Sequence, residues 1–169
     1  MIAIKHFREL IVRPALDQLK LYSVAAEELL VITCAQDSIG GTYLMQNDVK
    51  GFPRGPAVGI YQMEPATYLD LWRNFLSYHT MLLDRLHPGE QAAMDVGRMV
   101  YDLKYATMIA RLNYYRVKEA LPQDLEGQFR YYKKYWNTEL GAATLDDVRR
   151  NYYAFTGLPL DGTMIFRLS

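Results

Sequence analysis

An apolar stripe that runs into a carboxylate constrains this chain more than any other feature. Ala26, Leu29, Leu30, Thr33 and Cys34 recur at the i, i+3, i+4, i+7, i+8 spacing of one helix face, and such a face has to be buried. Ser23, just ahead of it, carries a side-chain oxygen suited to an N-cap. Continuing the stripe brings Asp37 onto the same face. Directly afterwards the helical signal stops. Gly40, Gly41, Gly51, Pro53, Gly55 and Pro56 crowd residues 38–58, which predicts an irregular loop with room for a short hairpin. A helix that must pack, ending in a carboxylate beside such a loop, puts an acid at the edge of a core.

Most of the remaining sequence also reads as helix. Residues 3–20 predict an opening helix that Pro14 kinks or interrupts. Helical signals resume at Pro65 and run on to the residues before Pro88, and 89–101 predict a further helix. The stretch 102–120 is apolar on more than one side, with Leu103, Ala106, Ala110 and Val117 on one and Tyr105, Met108, Ile109 and Leu112 on another. A helix of that kind is packed all round, so 102–117 is expected to be the most buried. Two shorter helices are expected at about 123–136 and 145–156. Thr144 and Asp147 resemble a capping box, and Gly157 and Pro159 form a stop before a tail at 157–169. The expected fold is a mainly α single domain over residues 1–169, a length that suits one core.

Several function classes are disfavoured. Nineteen basic and nineteen acidic side chains cancel, unlike the clustered positive charge of a protein that grips phosphate backbones. For the run FRYYKKYW, core packing by Phe129, Tyr132 and Trp136 on one helix face is therefore preferred to nucleic-acid binding. No stretch reaches the ~18 apolar residues of a membrane span, and the start lacks the pattern of a signal peptide. His6, His79 and His87 fall in separate segments, and Cys34 is the one cysteine. No metal is expected, no cofactor is expected, and Cys34 reads as a small core residue.

Asp37 is the residue with chemistry to offer. A carboxyl group at the edge of a core is partly desolvated, which disfavours its charged form and raises its pKa. Such a group stays protonated near neutral pH and can donate its proton to a leaving glycosidic oxygen.

Its surroundings carry a resemblance. AQDS at 35–38, followed by GPAVGIYQMEPATY at 55–68, resembles the two-part signature of the lytic transglycosylase and goose-type lysozyme superfamily. That signature is Glu-Ser, a loop, Gly-Ala-x-Gly-Leu-Met-Gln and a Pro-x-Thr helix start. Ala57, Gly59, Ile60, Gln62, Pro65, Ala66 and Thr67 occupy matching places. YDLKYATMIARLNYYR resembles the family's buried helix, and KKYWNTELG at 133–141 resembles its Tyr-Asn-x-Gly segment. The resemblance spans about residues 23–142. It departs at Asp37, which stands where the family has Glu and is one methylene shorter. Pro53 stands near a usual Ser, Pro56 replaces a Gly, and Tyr61 replaces Met.

The resemblance implies a lysozyme-like fold with the Gly/Pro-rich loop beside a cleft, and an action on the glycan strands of peptidoglycan. Asp37 would be the acid, with Ser38, Tyr61, Gln62, Tyr135 and Asn137 binding substrate. Gln62 would either hydrogen-bond a sugar substituent or hold its own loop. A transglycosylase needs one carboxyl group, whereas a two-carboxylate hydrolase needs a second, for which Asp48, Glu64 and Asp70 are candidates. The style of the sequence is similar to lysozyme-like proteins of bacteriophage virions. It implies incorporation into a virion after synthesis in the host cytoplasm, with tail or baseplate proteins as partners. The alternative is a lysozyme-like fold without catalysis, serving as a tail, baseplate or capsid component.

Overall fold

The computed structural model describes residues 1–46, 55–89, 91–138 and 141–159. Among these the chain is mainly helical. It begins with α1 (Ile4–His6), a π-helical turn (Phe7–Val12) and α2 (Arg13–Leu19). Pro14 does not end the helical run; it stands in the first turn of α2, where the π-helical turn gives way to α-helix. The Arg13 N–H reaches back five residues to the Arg8 carbonyl, and the widened turn accommodates a proline that has no N–H of its own. Lys20 then closes α2 in the left-handed conformation.

α3 (Val24–Asp37) starts as expected, with Ser23 Oγ accepting from the Ala26 N–H at 3.1 Å. It is buried on almost all sides, packing against the π turn and against three later helices: α7 (Leu103–Tyr115), α8 (Leu125–Tyr132) and α9 (Leu145–Thr156). The opening segment is tied to it by charge. Glu27, 3% exposed, receives Arg8, Arg13 and the Tyr22 hydroxyl, while Glu28 accepts from Arg8 and from Tyr152 of α9. Full satisfaction of this kind is what makes a buried carboxylate tolerable.

The expected long helix after Pro65 is broken. Its pieces are α4 (Pro65–Asn74), a 3-10 turn (Leu76–Tyr78) and α5 (Thr80–Leu86). Phe75 leaves helical geometry at φ −137°, the Ser77 hydroxyl donates to the Arg73 carbonyl, and the His79 ring stacks on Phe75 at 4.1 Å. Side chains that bond the backbone locally compete with the helix in this way, and the break lets Leu76 bury completely. The expected helix at 89–101 is a second correction, since among its described residues only α6 (Arg98–Tyr101) is helical. The Asp95 N–H donates to the Tyr68 hydroxyl and the Asp95 carboxylate accepts from the Arg98 N–H, so the stretch is pinned to α4 as irregular chain.

α7 is the most thoroughly packed helix beside α3, with Asp102 capping it by accepting from the Tyr105 N–H. α8 ends one turn early and passes into a second π turn (Lys133–Asn137). α9 carries the expected reciprocal capping box of Thr144 and Asp147, and Gly157 stops it at φ +71°. Residues 160–169 of the expected tail lie outside the described residues, as do 47–54 of the expected loop. What is described of that loop contains two antiparallel bridges, Met45 with Val58 and Val58 with Met63.

One apolar cluster joins all the long helices. The abundant tyrosines serve it, and several buried hydroxyls are paired: Tyr68 with Tyr105, Tyr114 with Thr33, Tyr61 with Thr107. No described helix is long and apolar enough to cross a membrane.

Candidate active site

Asp37 is the last residue of α3, and its side chain faces a cleft of about 800 Å³. One wall is the loop and start of α4, contributing Gln62, Met63, Glu64 and Thr67; another is the second π turn, with Tyr135, Trp136 and Asn137. Asn113 and Arg116, at the end of α7, form a third part of the lining. The cleft thus collects segments far apart in sequence around the end of the buried helix.

The environment of Asp37 is asymmetric. Its Oδ1 accepts a hydrogen bond of 2.5 Å from the Tyr132 hydroxyl on α8. Its Oδ2 is buried and makes no hydrogen bond with the described residues. Burial raises the carboxyl pKa to about 7, and the Tyr132 hydroxyl and Trp136 indole, which favour the charged form, offset this only in part. The Tyr132 phenol is pushed well above its usual range by burial and by the neighbouring carboxylate. Asp37 therefore keeps its proton to near neutral pH and is fixed through Oδ1 at the end of α3.

Gln62 lines the cleft in a left-handed conformation at φ +45°. Its backbone N–H and its Nε2 both donate to the Gly59 carbonyl, at 3.0 and 2.7 Å, so the loop-holding role is realised in a residue that also faces the cleft. Gly59 permits that turn: it sits at φ +76°, and a Cβ there would lie 2.5 Å from the Met99 carbonyl oxygen. Tyr135 and Asn137 also face the cleft. The Tyr135 hydroxyl donates to Glu119, and Asn137 Oδ1 accepts from Lys133 Nζ at 2.6 Å. Lys133 donates as well to the Gly141 carbonyl, which fastens the segment 141–143 along the cleft edge.

Two expected substrate-binding residues lie elsewhere. Ser38 is fully buried, donating to the Cys34 carbonyl and accepting from the Gly41 N–H, so it terminates α3. Tyr61 is 2% exposed and points into the core toward Thr107. Among the candidate second acids, Asp48 lies outside the described residues. Asp70 is exposed and held below its usual range by its bond to Arg116, with Asn74 adding to the effect. Glu64 does face the cleft, where it precedes α4. Cys34 is buried with its thiol pushed up to about 12 by burial, the behaviour of a core residue. No group of three or more metal-ligating side chains occurs among the described residues.

Three residues at the site are not singled out by the sequence: Tyr132, buried behind Asp37, and the cleft-lining Asn113 and Arg116. Tyr132 was classed with the core because it shares a helix face with Phe129 and Trp136, and spacing alone does not reveal that its hydroxyl reaches Asp37. Asn113 and Arg116 did leave a signal: two polar residues an i, i+3 step apart at the end of a largely buried helix. No family model, curated protein or solved structure matches the chain.

Proposed function

We propose that this chain is a lysozyme-like protein that cleaves the glycan strands of peptidoglycan, carried in a bacteriophage virion, with Asp37 as the acid. The observation that carries the proposal is a carboxyl group with a pKa of about 7 lining a cleft large enough for sugar rings. The resemblance at 35–38, 55–68 and 133–141 supports it, since Asp37, Gln62 and Asn137 come from these separate segments and line the same cleft.

In the proposed reaction, protonated Asp37 gives its proton to the glycosidic oxygen as the bond to the anomeric carbon breaks. The departing sugar leaves as a neutral alcohol and positive charge develops at the anomeric centre. The Asp37 carboxylate then takes a proton from the attacking oxygen. In a transglycosylase that oxygen is the sugar's own 6-hydroxyl, which closes an anhydro ring; in a hydrolase it belongs to water, and Glu64 is the cleft carboxylate able to assist.

The test is muropeptide release from purified cell walls at pH 6 by wild type and Asp37→Asn. An amide has no acidic proton to give, so the variant should lose at least about a hundredfold in rate while keeping its fold. Undiminished cleavage by Asp37→Asn would remove the assignment. A second reading is favoured by the bond from Tyr132, which uses the short Asp37 side chain as an internal tie. There the chain is a non-catalytic tail, baseplate or capsid component, and a folded but inert wild type would select it.

A further inference from the structure

The end of α7 presents two polar side chains to the cleft, Asn113 within the helix and Arg116 just past it, and neither is among the residues expected to bind substrate. Asn113 is 8% exposed, and its Oδ1 is buried without a hydrogen bond to the described residues. A buried acceptor without a donor is costly and therefore uncommon, and this one belongs to a residue that lines an open cleft. Arg116 is the one cation among the described cleft-lining residues. Its Nη1 meets Asp70 Oδ2 at 2.5 Å, while its Nε and Nη2 make no hydrogen bond with the described residues. A guanidinium with two donors free in a fixed plane matches a second carboxylate.

We propose that this wall binds an N-acylated amino-acid unit, with Asn113 Oδ1 accepting from its amide N–H and Arg116 pairing with its carboxylate. Side chains at i and i+3 have Cβ atoms about 5–6 Å apart, so adjacent amide and carboxylate groups reach both. This deepens the glycan reading and rests on it for the substrate, in which such units are the peptide branches of the strand. Asp37 would address the sugar backbone while Asn113 and Arg116 hold the branch, so the cleft would prefer peptide-bearing strands to bare ones.

The test is direct binding, which needs no chemistry from Asp37. A fluorescent N-acetylmuramyl dipeptide with a free carboxylate is titrated with the full chain at pH 7, beside its C-terminal amide analogue. Wild type should bind the acid more tightly, and Arg116→Gln should weaken acid binding by about 10–100-fold while leaving the amide analogue unchanged. Asn113→Leu should weaken both ligands. Asp70→Asn removes the ion pair but keeps the cation, so it should bind the acid at least as well as wild type. Equal affinity for acid and amide, an equal loss in Asp70→Asn and Arg116→Gln, or no binding by folded wild type would each overturn the proposal. Because Arg116 lies at the surface, its variant remains informative even if Asn113→Leu fails to fold. Cleavage by wild type without any Arg116 dependence of binding would refute the branch site alone. Dipeptide binding by a wild type that cleaves nothing would refute only the catalytic reading.

Discussion

The Tyr132 hydroxyl donates to Asp37 Oδ1 at 2.5 Å, joining positions 95 residues apart in the sequence. The bond holds the end of α3 against α8 and fixes one oxygen of the carboxyl group, leaving Oδ2 without a donor among the described residues. Burial on one side and the Tyr132 hydroxyl and Trp136 indole on the other pull the acidity of Asp37 in opposite directions, and burial prevails.

Replacing Tyr132 with Phe removes the donor while keeping the ring. Because the hydroxyl favours the charged carboxylate, its loss should move the Asp37 midpoint upward from about 7. The stability cost near neutral pH should be about 1–2 kcal/mol, that of a buried hydrogen bond. Carboxyl carbon shifts followed by NMR through pH 4–9 measure the midpoint; a value that does not move would mean the bond leaves the acid untuned.

The raised pKa also sets the pH dependence of stability. In the folded chain Asp37 keeps its proton up to about 7, against an ordinary value of 3.8, so over that window the native state binds more protons than the unfolded one. Stability from this group is therefore greatest below about pH 4 and falls as pH rises to about 7, by at most about 4 kcal/mol. Asp37→Asn cannot ionise and its oxygen can still accept from Tyr132. It should match wild type near pH 4 and exceed it at pH 8, and urea unfolding at the two pH values checks the sign. Equal differences at both would show that Asp37 titrates normally.

How much of this was legible in the sequence depends on what each feature rests on. The α3 stripe, its Ser23 cap, Asp37 at its end and the Thr144–Asp147 box are local patterns, and all appear where spacing put them. The break at Phe75 was not readable, because helix propensity carries no account of Ser77 bonding Arg73 or His79 stacking on Phe75. The irregular stretch at 91–95 depends on Tyr68, which is distant in sequence. At the site the same division holds. Gln62 and Asn137 were placed by motif, whereas Ser38 and Tyr61 turned inward because the end of α3 and the core around Thr107 needed their hydroxyls. Tyr132, Asn113 and Arg116 gain their meaning only when α7 and α8 are brought beside Asp37.

Gly59 offers a test of the loop that holds Gln62. Alanine there would have to adopt φ +76° and place its Cβ 2.5 Å from the Met99 backbone oxygen. The conformation alone costs roughly 1–2 kcal/mol, and the clash with a carbonyl that cannot swing away adds to it. Gly89→Ala is the control, since Gly89 has a similar φ of +73° and a Cβ there would meet no described atom within 4 Å. Thermal melts should show Gly59→Ala clearly less stable than Gly89→Ala. Equal losses would mean that Met99 yields and the loop is not held there.

Asp37→Glu tests the acid itself. Restoring the methylene extends the carboxyl group by about 1.5 Å, toward the cleft and away from the position that now meets Tyr132. Proton transfer requires a heavy-atom approach of about 2.6–3.2 Å, and misplacement of an ångström can cost about a hundredfold. If reach limits the wild type, Asp37→Glu should release muropeptides at least about tenfold faster at pH 6, although it gives up the 2.5 Å bond to Tyr132. If the wild type cleaves glycan through Asp37, its activity should fall about tenfold per pH unit above the midpoint near 7, where the carboxyl group loses its proton. The Glu variant should keep a descending limb of the same slope, with its own midpoint. An active wild type beside a slower Glu variant would mean that the Tyr132 bond, not reach, sets the productive position of the acid. An inert wild type beside an active Glu variant would identify a glycan-cleaving site silenced by one methylene.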